Sequence, residues 1–482
     1  MSIRRILACA LALAVLAASA PAQPLSPLEQ LGKLIFFDTT LSDPQGMSCA
    51  TCHAPQVGFT GPDAGVNLAT AVYPGAVVPR YGNRRPPAAA YAGASPLLHW
   101  DAGLGGWFGG MFYDGRATGW TLGDPLAEQA QGPFLNPLEM NNANAAMVCQ
   151  KIHHSRYAGL FEAVWGPGSS QPDGDAAVMY ERVARSIAAY EASAEANPFT
   201  AKYDRWLAGE AALTDLEAEG LALFEGRAGC AGCHPTAADG GSALFTTYGY
   251  ANLGLPRSER LPFYTQPPRW NPDGAAWVDP GLAGFLAGVP EYADAAAAEY
   301  GKHKIQTLRN VDRRPAADFA KAYGHNGVFI SLAEFVHFLN TRDSGGWAVP
   351  EVAANLSAAV GDLGLTAGEE AALVAFLGTL SDGWTPPDGA KAMGVAAALP
   401  SVSGPGVVRG AVDVRFSLPA AADMRLEVFD LRGRRVAVLA EGWREAGAGS
   451  AAWRAADLPS GLYLLRLTTA AGGASARCVV VH

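Results

Sequence analysis

Two short cysteine–histidine motifs constrain this chain more than any other feature. The pattern Cys-x-x-Cys-His occurs at Cys49–His53 and again at Cys230–His234. In this pattern the two thiols can form thioethers with the vinyl groups of haem, and the adjacent histidine can bind the iron from one face. A zinc half-site or a thioredoxin-like redox pair is the alternative, but zinc needs a second Cys or His pair nearby and neither motif has one. The sequence therefore predicts two covalently bound c-type haems, held by Cys49, Cys52, His53, Cys230, Cys233 and His234.

Residues 1–22 are typical of a secretory signal peptide. Arg4 and Arg5 precede an apolar stretch that is too short to span a membrane, and the small residues of 18–23 provide a cleavage site. No later apolar run has the length of a transmembrane helix, so we expect a soluble exported protein. The predicted location is the periplasm, or the cell surface or medium if the C-terminal region directs further transport.

Cysteine usage and charge narrow the class of protein further. Cys149 and Cys478 remain once the haem motifs and Cys9 of the signal peptide are set aside, and we expect them to be buried thiols outside any disulfide framework. The net charge is −10, and residues 401–482 carry ten basic against seven acidic residues. The acidic excess therefore lies on the haem-binding part, where it disfavours nucleic acid. It is compatible with steering of a basic electron-donor protein, and solubility alone is the alternative explanation.

A weak internal repeat predicts two tandem cytochrome c domains. Gly32–Phe36 and Gly220–Phe224 share the spacing Gly-x-x-x-Phe ahead of the two haem motifs. Capping boxes mark four helix starts, at Ser26–Glu29, Thr214–Glu217, Ser331–Glu334 and Thr366–Glu369. We predict a mainly α-helical region, with a first haem domain over 23–205 and a second over 206–385.

The composition changes after the second predicted haem domain. Residues 386–406 are rich in Ala, Gly, Ser and Pro and are predicted to be a linker. Period-two alternation then predicts short strands at Val414–Leu418, Arg425–Phe429, Gly461–Leu467 and Ala476–Val481. This pattern favours a small all-β, immunoglobulin-like sandwich over 407–482.

The same C-terminal region carries a second recognisable pattern. Val428–Gly433, Trp453 and Ser460–Tyr463 together resemble the immunoglobulin-like module of flagellar hook-capping proteins. They also resemble the C-terminal sorting domains of type IX secretion. Both resemblances imply an address tag or docking element, and an inert stabilising appendage is the alternative.

Several segments of the haem-binding region resemble the bacterial dihaem cytochrome c peroxidase family, including its MauG-type branch. The matching segments, in the family's order, are Phe36–Asp38, Leu41–Ser42, Met47–His53, Tyr113–Arg116, Glu128–Gln129, Pro133, Pro137–Met140, Thr307–Asp312 and Tyr323–Gly327. The resemblance covers most of the chain before residue 386. It implies a peroxidase-type oxidoreductase with two haem c groups and an interdomain calcium ion, whose ligands we leave unassigned.

The resemblance also implies roles for five residues at the first haem. Glu139 would be the acid–base group that moves a proton between the two peroxide oxygens, and Gln129 and Pro133 would shape the same pocket. Arg116 would bind a haem propionate. Tyr113, where the family commonly has Trp, would relay electrons between the haems. The alternatives are a solvated carboxylate for Glu139, a surface ion pair for Arg116 and simple packing for Tyr113.

One departure from the family concerns the first haem. Members that are activated by reduction carry a distal His between the first haem motif and the Asp-Gly-Arg segment, but residues 54–98 contain no His. The first haem is therefore predicted to be open without reductive activation. His99 is interpreted as a packed structural histidine.

A second departure concerns the second haem. Many members have a Met or Tyr ligand fourteen residues after the position of His325, where this chain has Leu339, and no Met occurs from 180 to 392. The second haem is therefore predicted to be five-coordinate or to recruit another group, with His337 and His303 as the nearest candidates. Without a Met ligand, its reduction potential should be lower than that of a His/Met haem.

Three functions are compatible with these patterns. The leading prediction is reduction of hydrogen peroxide at the His53 haem, with electrons passing through the His234 haem from a small cytochrome c or cupredoxin. The second is a MauG-like oxidase that modifies an aromatic residue of a partner protein. The third is a non-catalytic electron-transfer protein, which the pocket residues Gln129, Pro133 and Glu139 disfavour. Family members are often dimers, so the resemblance also allows a homodimer.

Overall fold

The computed structural model describes residues 24–171, 174–237 and 242–386. It also describes residues 401–480, except 404–406, 409, 419, 431–433, 457 and 470–471. The predicted signal peptide and most of the predicted linker lie outside the described residues. Within the described ranges, every helix is too short or too polar to cross a lipid bilayer.

The described part before residue 387 is mainly helical. Its α-helices are α1 (Pro27–Phe36), α2 (Cys49–Cys52), α3 (Ala64–Ala69), α4 (Pro125–Leu135), α5 (Ala145–His153), α6 (Ala158–Trp165), α7 (Ala176–Glu191), α8 (Lys202–Leu207), α9 (Asp215–Glu225), α10 (Leu282–Leu286), α11 (Leu332–Thr341) and α12 (Ala367–Gly378). Two antiparallel strand pairs lie between them, β1 (His99–Asp101) with β2 (Gly106–Phe108), and β3 (Tyr250–Ala251) with β4 (His303–Lys304).

The helix starts follow the predicted capping residues. Ser26, Thr214 and Thr366 each form a reciprocal capping box ahead of α1, α9 and α12. Ahead of α11, the Ser331 hydroxyl accepts from the Glu334 N–H, but the Glu334 carboxylate accepts from the N–H of Ile330 at 3.2 Å. In this fourth box, the N–H that donates to the glutamate carboxylate therefore belongs to the residue before the N-cap and not to the N-cap itself.

The Gly-x-x-x-Phe repeat brings two pairs of helices into close contact. A Cβ atom on Gly32 of α1 would overlap the carbonyl oxygen of Ser186 on α7. In the same way, a Cβ atom on Gly220 of α9 would overlap the carbonyl oxygen of Ala372 on α12. The Phe of each repeat is fully buried. The repeat therefore marks two equivalent helix crossings that only a residue without a side chain allows.

Each helix crossing lies in a separate apolar core. The buried members of the first core all fall between residues 31 and 196, and Cys49 and Cys52 pack against it. The buried members of the second core fall between residues 203 and 380, and Cys230 packs against it. Each haem motif thus borders its own core. Cys149 is a buried free thiol, as predicted.

Residues 401–480 form two β-sheets. Their strands are β5 (Ser401–Ser403), β6 (Val407–Val408), β7 (Ala411–Leu418), β8 (Ala422–Asp430), β9 (Arg435–Arg444), β10 (Gly447–Arg454), β11 (Gly461–Thr469) and β12 (Gly472–Val480). One sheet has the order β10-β7-β5 and the other β6-β12-β11-β8-β9. A single apolar core contains residues of both sheets, including Leu426, Trp453 and Leu465, and Cys478 is a buried free thiol within it.

As far as they are described, the four strands predicted from alternation fall within β7, β8, β11 and β12. The alternation does not single out β9, an edge strand without a regular inside–outside pattern, or β10, which is rich in Gly and Ala. The C-terminal region is therefore β-structured, as predicted. Its resemblance to hook-capping and sorting modules stays a prediction.

Candidate functional site

One cavity brings together the predicted residues of the first haem site. It has a volume of about 1330 Å³, including the part that opens to solvent. Its lining includes all eight residues predicted for this site, namely Cys49, Cys52, His53, Tyr113, Arg116, Gln129, Pro133 and Glu139. These residues come from segments up to 90 positions apart in the sequence, so the fold assembles them into one space.

The histidine of the first motif is held in the form that can bind a metal. His53 follows α2, and its Nδ1 lies 3.2 Å from the carbonyl oxygen of Phe59, which can only accept a hydrogen bond. Nδ1 is therefore the protonated nitrogen, which leaves a lone pair on Nε2. Burial lowers the pKa of His53, so the ring stays neutral.

The second motif repeats this arrangement. Nδ1 of His234 donates to the carbonyl oxygen of Phe245 at 2.7 Å, and burial lowers the pKa of His234 to about 4. Phe245 has a left-handed backbone with φ of 51°, and Phe59, its counterpart at the first motif, has φ of 57°. A phenylalanine rarely adopts this conformation, so the two carbonyl acceptors give no recognisable sequence signal.

The donor set of each motif fits a covalently bound haem better than zinc. Burial raises the pKa of the Cys52 thiol to about 12 and that of Cys230 to about 11. Zinc binds thiolates, whereas these environments favour the neutral thiol from which thioethers form. At the first motif, a cavity lies directly beside the thiols and the imidazole, where a porphyrin attached to them would sit.

Helix α4 presents two cavity residues on one face. Gln129 and Pro133 are four residues apart and both line the cavity. Asp124 caps the N-terminus of the helix, accepting from the N–H of Leu126 at 2.9 Å. Pro133 has no N–H to bond to the carbonyl of Gln129, and it offers no atom that could bind a metal.

Glu139 is held over the cavity through its backbone. Its N–H donates to the carbonyl of Asn136 at 3.0 Å, and its own carbonyl accepts from the N–H of Ala76 at 2.7 Å. Gly75 permits this approach, because a Cβ there would overlap the carbonyl of Leu138. Burial raises the pKa of Glu139, while Arg116 and a side-chain bond from Asn136 oppose the rise. This carboxyl can exchange a proton closer to neutral pH than an ordinary Glu.

Arg116 lies at the exposed side of the cavity. Its guanidinium carbon lies 3.7 Å from the ring centre of Phe112, and Nη1 lies 2.7 Å from the Asp114 carboxylate. Asp114 also binds the buried Arg84 at 2.6 Å. Arg116 is therefore stacked and ion-paired at the cavity edge, with its side chain 43% exposed.

Tyr113 connects the cavity to a buried histidine pair. The phenol is 5% exposed, and its hydroxyl has no hydrogen-bond partner among the described residues. The ring centre of Tyr113 lies 6.4 Å from that of His303 and 6.3 Å from that of His325. These two imidazoles stack at 3.5 Å and belong to the second half of the haem-binding region.

The histidine pair lies beside a buried carboxylate. Asp279 lies 3.3 Å from Nε2 of His303 and 3.9 Å from Nε2 of His325, and Arg84 binds both of its oxygens. Asp279, His303 and His325 are close enough together to hold a metal ion. However, calcium prefers an all-oxygen shell, and the cation Arg84 already neutralises the carboxylate. This group does not fit the predicted calcium ion.

Two other predicted histidines lie outside these clusters. His99 begins β1 and is exposed, with Nδ1 at 2.8 Å from the carbonyl of Leu97. The interpretation of His99 as a packed residue is therefore wrong, because the β1–β2 hairpin turns its side chain outward. His337 is 52% exposed and binds Glu370 at 2.9 Å.

Three cavity residues give no sequence signal. Arg84 and Arg85 line the cavity, and Arg84 is buried by its bonds to Asp114 and Asp279. Glu191, the last residue of α7, is 4% exposed and has a carboxylate oxygen without a hydrogen-bond partner. Burial raises the pKa of Glu191 to about 8. Each lines the cavity only because the fold brings remote segments together, so no local sequence pattern predicts it.

Comparison with known proteins places this geometry among dihaem enzymes. The family model described as di-haem cytochrome c peroxidase matches residues 26–212. The methylamine utilization protein MauG of Paracoccus denitrificans is 35% identical over 78% of this chain and 95% of its own length. The cytochrome c551 peroxidase of Nitrosomonas europaea is 28% identical over 72% and 86%. The structure of the diheme peroxidase BthA from Burkholderia thailandensis superposes with a TM-score of 0.62 at 30% sequence identity. The match includes 75% of this chain and 87% of the BthA chain.

Proposed function

We propose that this chain, which belongs to the di-haem cytochrome c peroxidase family, binds two c-type haems and reduces hydrogen peroxide to water at the first of them. Its homologues support a peroxidase-type oxidoreductase. The observation that supports the proposal most strongly is that Cys49, Cys52, His53 and Glu139 line one cavity.

In this proposal His53 and the two thiols hold the first haem, which supplies an iron that binds and reduces peroxide. Gln129 and Pro133 keep the opposite wall narrow and free of metal ligands. Glu139 would take a proton from one oxygen of the bound peroxide and return it to the other, so that this second oxygen could leave as water. Arg116 is proposed to bind a haem propionate at the cavity edge.

Peroxide reduction consumes two electrons and two protons for each pair of water molecules formed. We assign the electron path to the second haem, held by Cys230, Cys233 and His234, with Tyr113 as the relay towards the first. The buried position of Tyr113 between the cavity and the stacked histidine pair supports this assignment. The electron donor would be a small cytochrome c or cupredoxin in the periplasm.

A MauG-like oxidase is the second candidate function. The 35% identity to the Paracoccus denitrificans MauG over 95% of that protein favours it. In this case the two haems, when bound, would supply oxidising chemistry drawn from peroxide, and an aromatic residue of a partner protein would be oxidised. A pure electron carrier is a weaker third candidate, because it has no use for a carboxyl group over an open cavity.

We propose four further features of this protein. They are export through residues 1–22, an interdomain calcium ion, a homodimer, and an immunoglobulin-like docking or sorting role for 407–482. The domain limits at 205/206 and 385/386 belong with them. The separation of the two apolar cores near residues 196–203 supports the first limit.

Steady-state turnover tests the proposed function. The haem-loaded protein should oxidise a reduced small c-type cytochrome when peroxide is added, and Glu139→Gln should lower kcat about 10²- to 10⁴-fold. Glu181→Gln is the matched control, because Glu181 is a surface residue of α7 paired with Arg185. Peroxide consumption without donor oxidation, together with oxidation of an aromatic residue in a partner, would favour the MauG-like function instead.

A further inference from the structure

The second haem motif has one clearly defined ligand side. His234 is fixed by the bond from its Nδ1 to the Phe245 carbonyl at 2.7 Å, which leaves Nε2 available for iron. A haem iron has four porphyrin ligands and two axial positions, so the protein must supply a group opposite His234 or leave that position open. The side chains of the second half decide between these outcomes.

We infer that the iron of the second haem has no protein ligand opposite His234, so that it binds small exogenous ligands such as carbon monoxide when reduced and cyanide when oxidised. This inference rests on the proposed function, in that it requires a haem on each motif. It makes the second haem a second ligand-binding site in addition to its proposed electron-transfer role.

The apolar environment of the second motif supports an open position. Leu339 of α11 packs against the second core together with Leu308, Val328 and Cys230 of the haem motif. All of these except the cysteine are hydrocarbon side chains, which cannot bind iron. No methionine occurs between residues 180 and 392, so the commonest thioether ligand is absent from this half of the sequence.

The other histidines of this half are engaged elsewhere. His337 is 52% exposed and is held by Glu370 at 2.9 Å. His303 and His325 stack on one another beside Asp279 and against Tyr113 of the first half. Recruiting either ring would break this stack and leave the buried Asp279–Arg84 pair without its neighbours.

The lysines and tyrosines nearest to the second core are also bonded. Lys304 and Lys321 each donate three hydrogen bonds to buried oxygens. The hydroxyls of Tyr203 and Tyr323 donate to the carbonyls of Thr236 at 3.0 Å and Val311 at 3.3 Å.

Tyr248 has a buried hydroxyl group without a hydrogen-bond partner among the described residues. It belongs to the same segment as Phe245, whose carbonyl accepts from His234. In this segment the N–H of Thr247 also donates to the backbone carbonyl of Cys233 at 3.0 Å. This segment approaches the motif from the His234 side, whereas a sixth ligand must come from the opposite side. The Tyr248→Phe variant tests this assignment directly.

Carbon monoxide stoichiometry tests the inference. The haem content of the full-length protein is first measured as the pyridine haemochrome, and the dithionite-reduced protein is then titrated with carbon monoxide. Two haems and two bound molecules are expected for the wild type and for Tyr248→Phe. Leu339→Met places a thioether in the second core, so it should lower the count to one and give a low-spin reduced spectrum. Leu339→Ile is the control that should still bind two.

The outcomes separate this inference from the proposed function. Two haems with one bound molecule in both the wild type and Leu339→Met would overturn the inference and leave the peroxidase proposal intact. A change in the low-spin fraction on Tyr248→Phe would also overturn it, by identifying that phenol as the ligand. A protein with only one haem would contradict the proposed function itself. If Leu339→Met does not fold, the wild-type count still decides.

Discussion

Glu191 is a buried carboxyl group at the end of the amphipathic helix α7. Its side chain lines the first cavity, with 4% exposure and one oxygen without a partner. Burial, with a smaller contribution from Asp124, raises its pKa to about 8. Glu191 is therefore a mostly neutral acid in the cavity at neutral pH.

Glu191→Gln should make stability less dependent on pH. The unfolded chain loses this proton near pH 4.5 and the folded chain near pH 8, so the folded state binds more protons in between and stability falls as the pH rises. The difference amounts to up to about 4 kcal/mol, which glutamine removes. Denaturant unfolding at about pH 5 and pH 8 measures it. The decrease in unfolding free energy between these two pH values should persist in Glu181→Gln. The same decrease in Glu191→Gln would show that the buried Glu191 does not cause it.

Protonation of Glu139 should make the reaction with peroxide slower at low pH. Because Glu139 must be ionised to accept a proton, the second-order rate constant should rise with pH through a pKa above the ordinary value of Glu, in the direction that burial imposes. Glu139→Gln should be slow at every pH and lack this pH dependence. Stopped-flow measurements across pH test this, and a pH dependence that survives the substitution must come from another group.

At this scale, motif spacing predicted the residues that share the first cavity. Glu139, Gln129 and Pro133 lie close together in sequence, so a family pattern can capture them. The bond between Arg84 and Asp279 joins residues 195 positions apart, and no local pattern contains it. The exposure of His99 was also unpredictable, because it depends on a three-residue hairpin strand.

At the scale of elements, the two glycine crossings should be equivalent. Gly32→Ala and Gly220→Ala each drive a methyl group into a carbonyl of the facing helix, so each should cost about 1–3 kcal/mol or more of unfolding free energy. A Cβ atom on Gly159 of α6 would have no atom within 4 Å, so Gly159→Ala is the matched control and should be neutral or stabilising. Equal stability of all three variants would show that the crossings tolerate a wider spacing.

The helices were predictable where the signal is local. Capping boxes at Ser26, Thr214 and Thr366 involve residues three apart, and all three are confirmed. The carbonyls of Phe59 and Phe245 that orient the motif histidines were not predictable. Their left-handed backbones run against the preference of phenylalanine, so tertiary packing imposes them.

For the whole molecule, two buried lysines join the halves of the haem-binding region. Lys304 of β4 donates to Ser95 at 2.7 Å and to the carbonyls of Gly109 and Gly110 in the first half. Lys321 donates to the carbonyl of Val57 at 3.0 Å and to two carbonyls of its own half. Each ammonium therefore adds buried hydrogen bonds that cross between the halves.

Lys304→Met should loosen this connection. The substitution removes three buried, charge-assisted hydrogen bonds between the halves, which should cost about 2 kcal/mol or more and speed limited proteolysis between the halves. Lys33→Met is the control, because Lys33 pairs with Glu195 at the surface, where both side chains are exposed. A Lys304 variant as resistant as this control would mean that the apolar contacts alone hold the halves together.

The reaction of the fully oxidised protein with peroxide decides whether the first haem is an open site served by Glu139. Stopped-flow absorbance and low-temperature EPR follow this reaction in the wild type and in Glu139→Gln. We expect a high-spin ferric signal from the first haem that is lost rapidly on adding peroxide, and much more slowly in the variant. A first haem that is low-spin and silent towards peroxide before any reduction would contradict this claim, because a protein ligand would then close the cavity, as in family members that are activated by reduction.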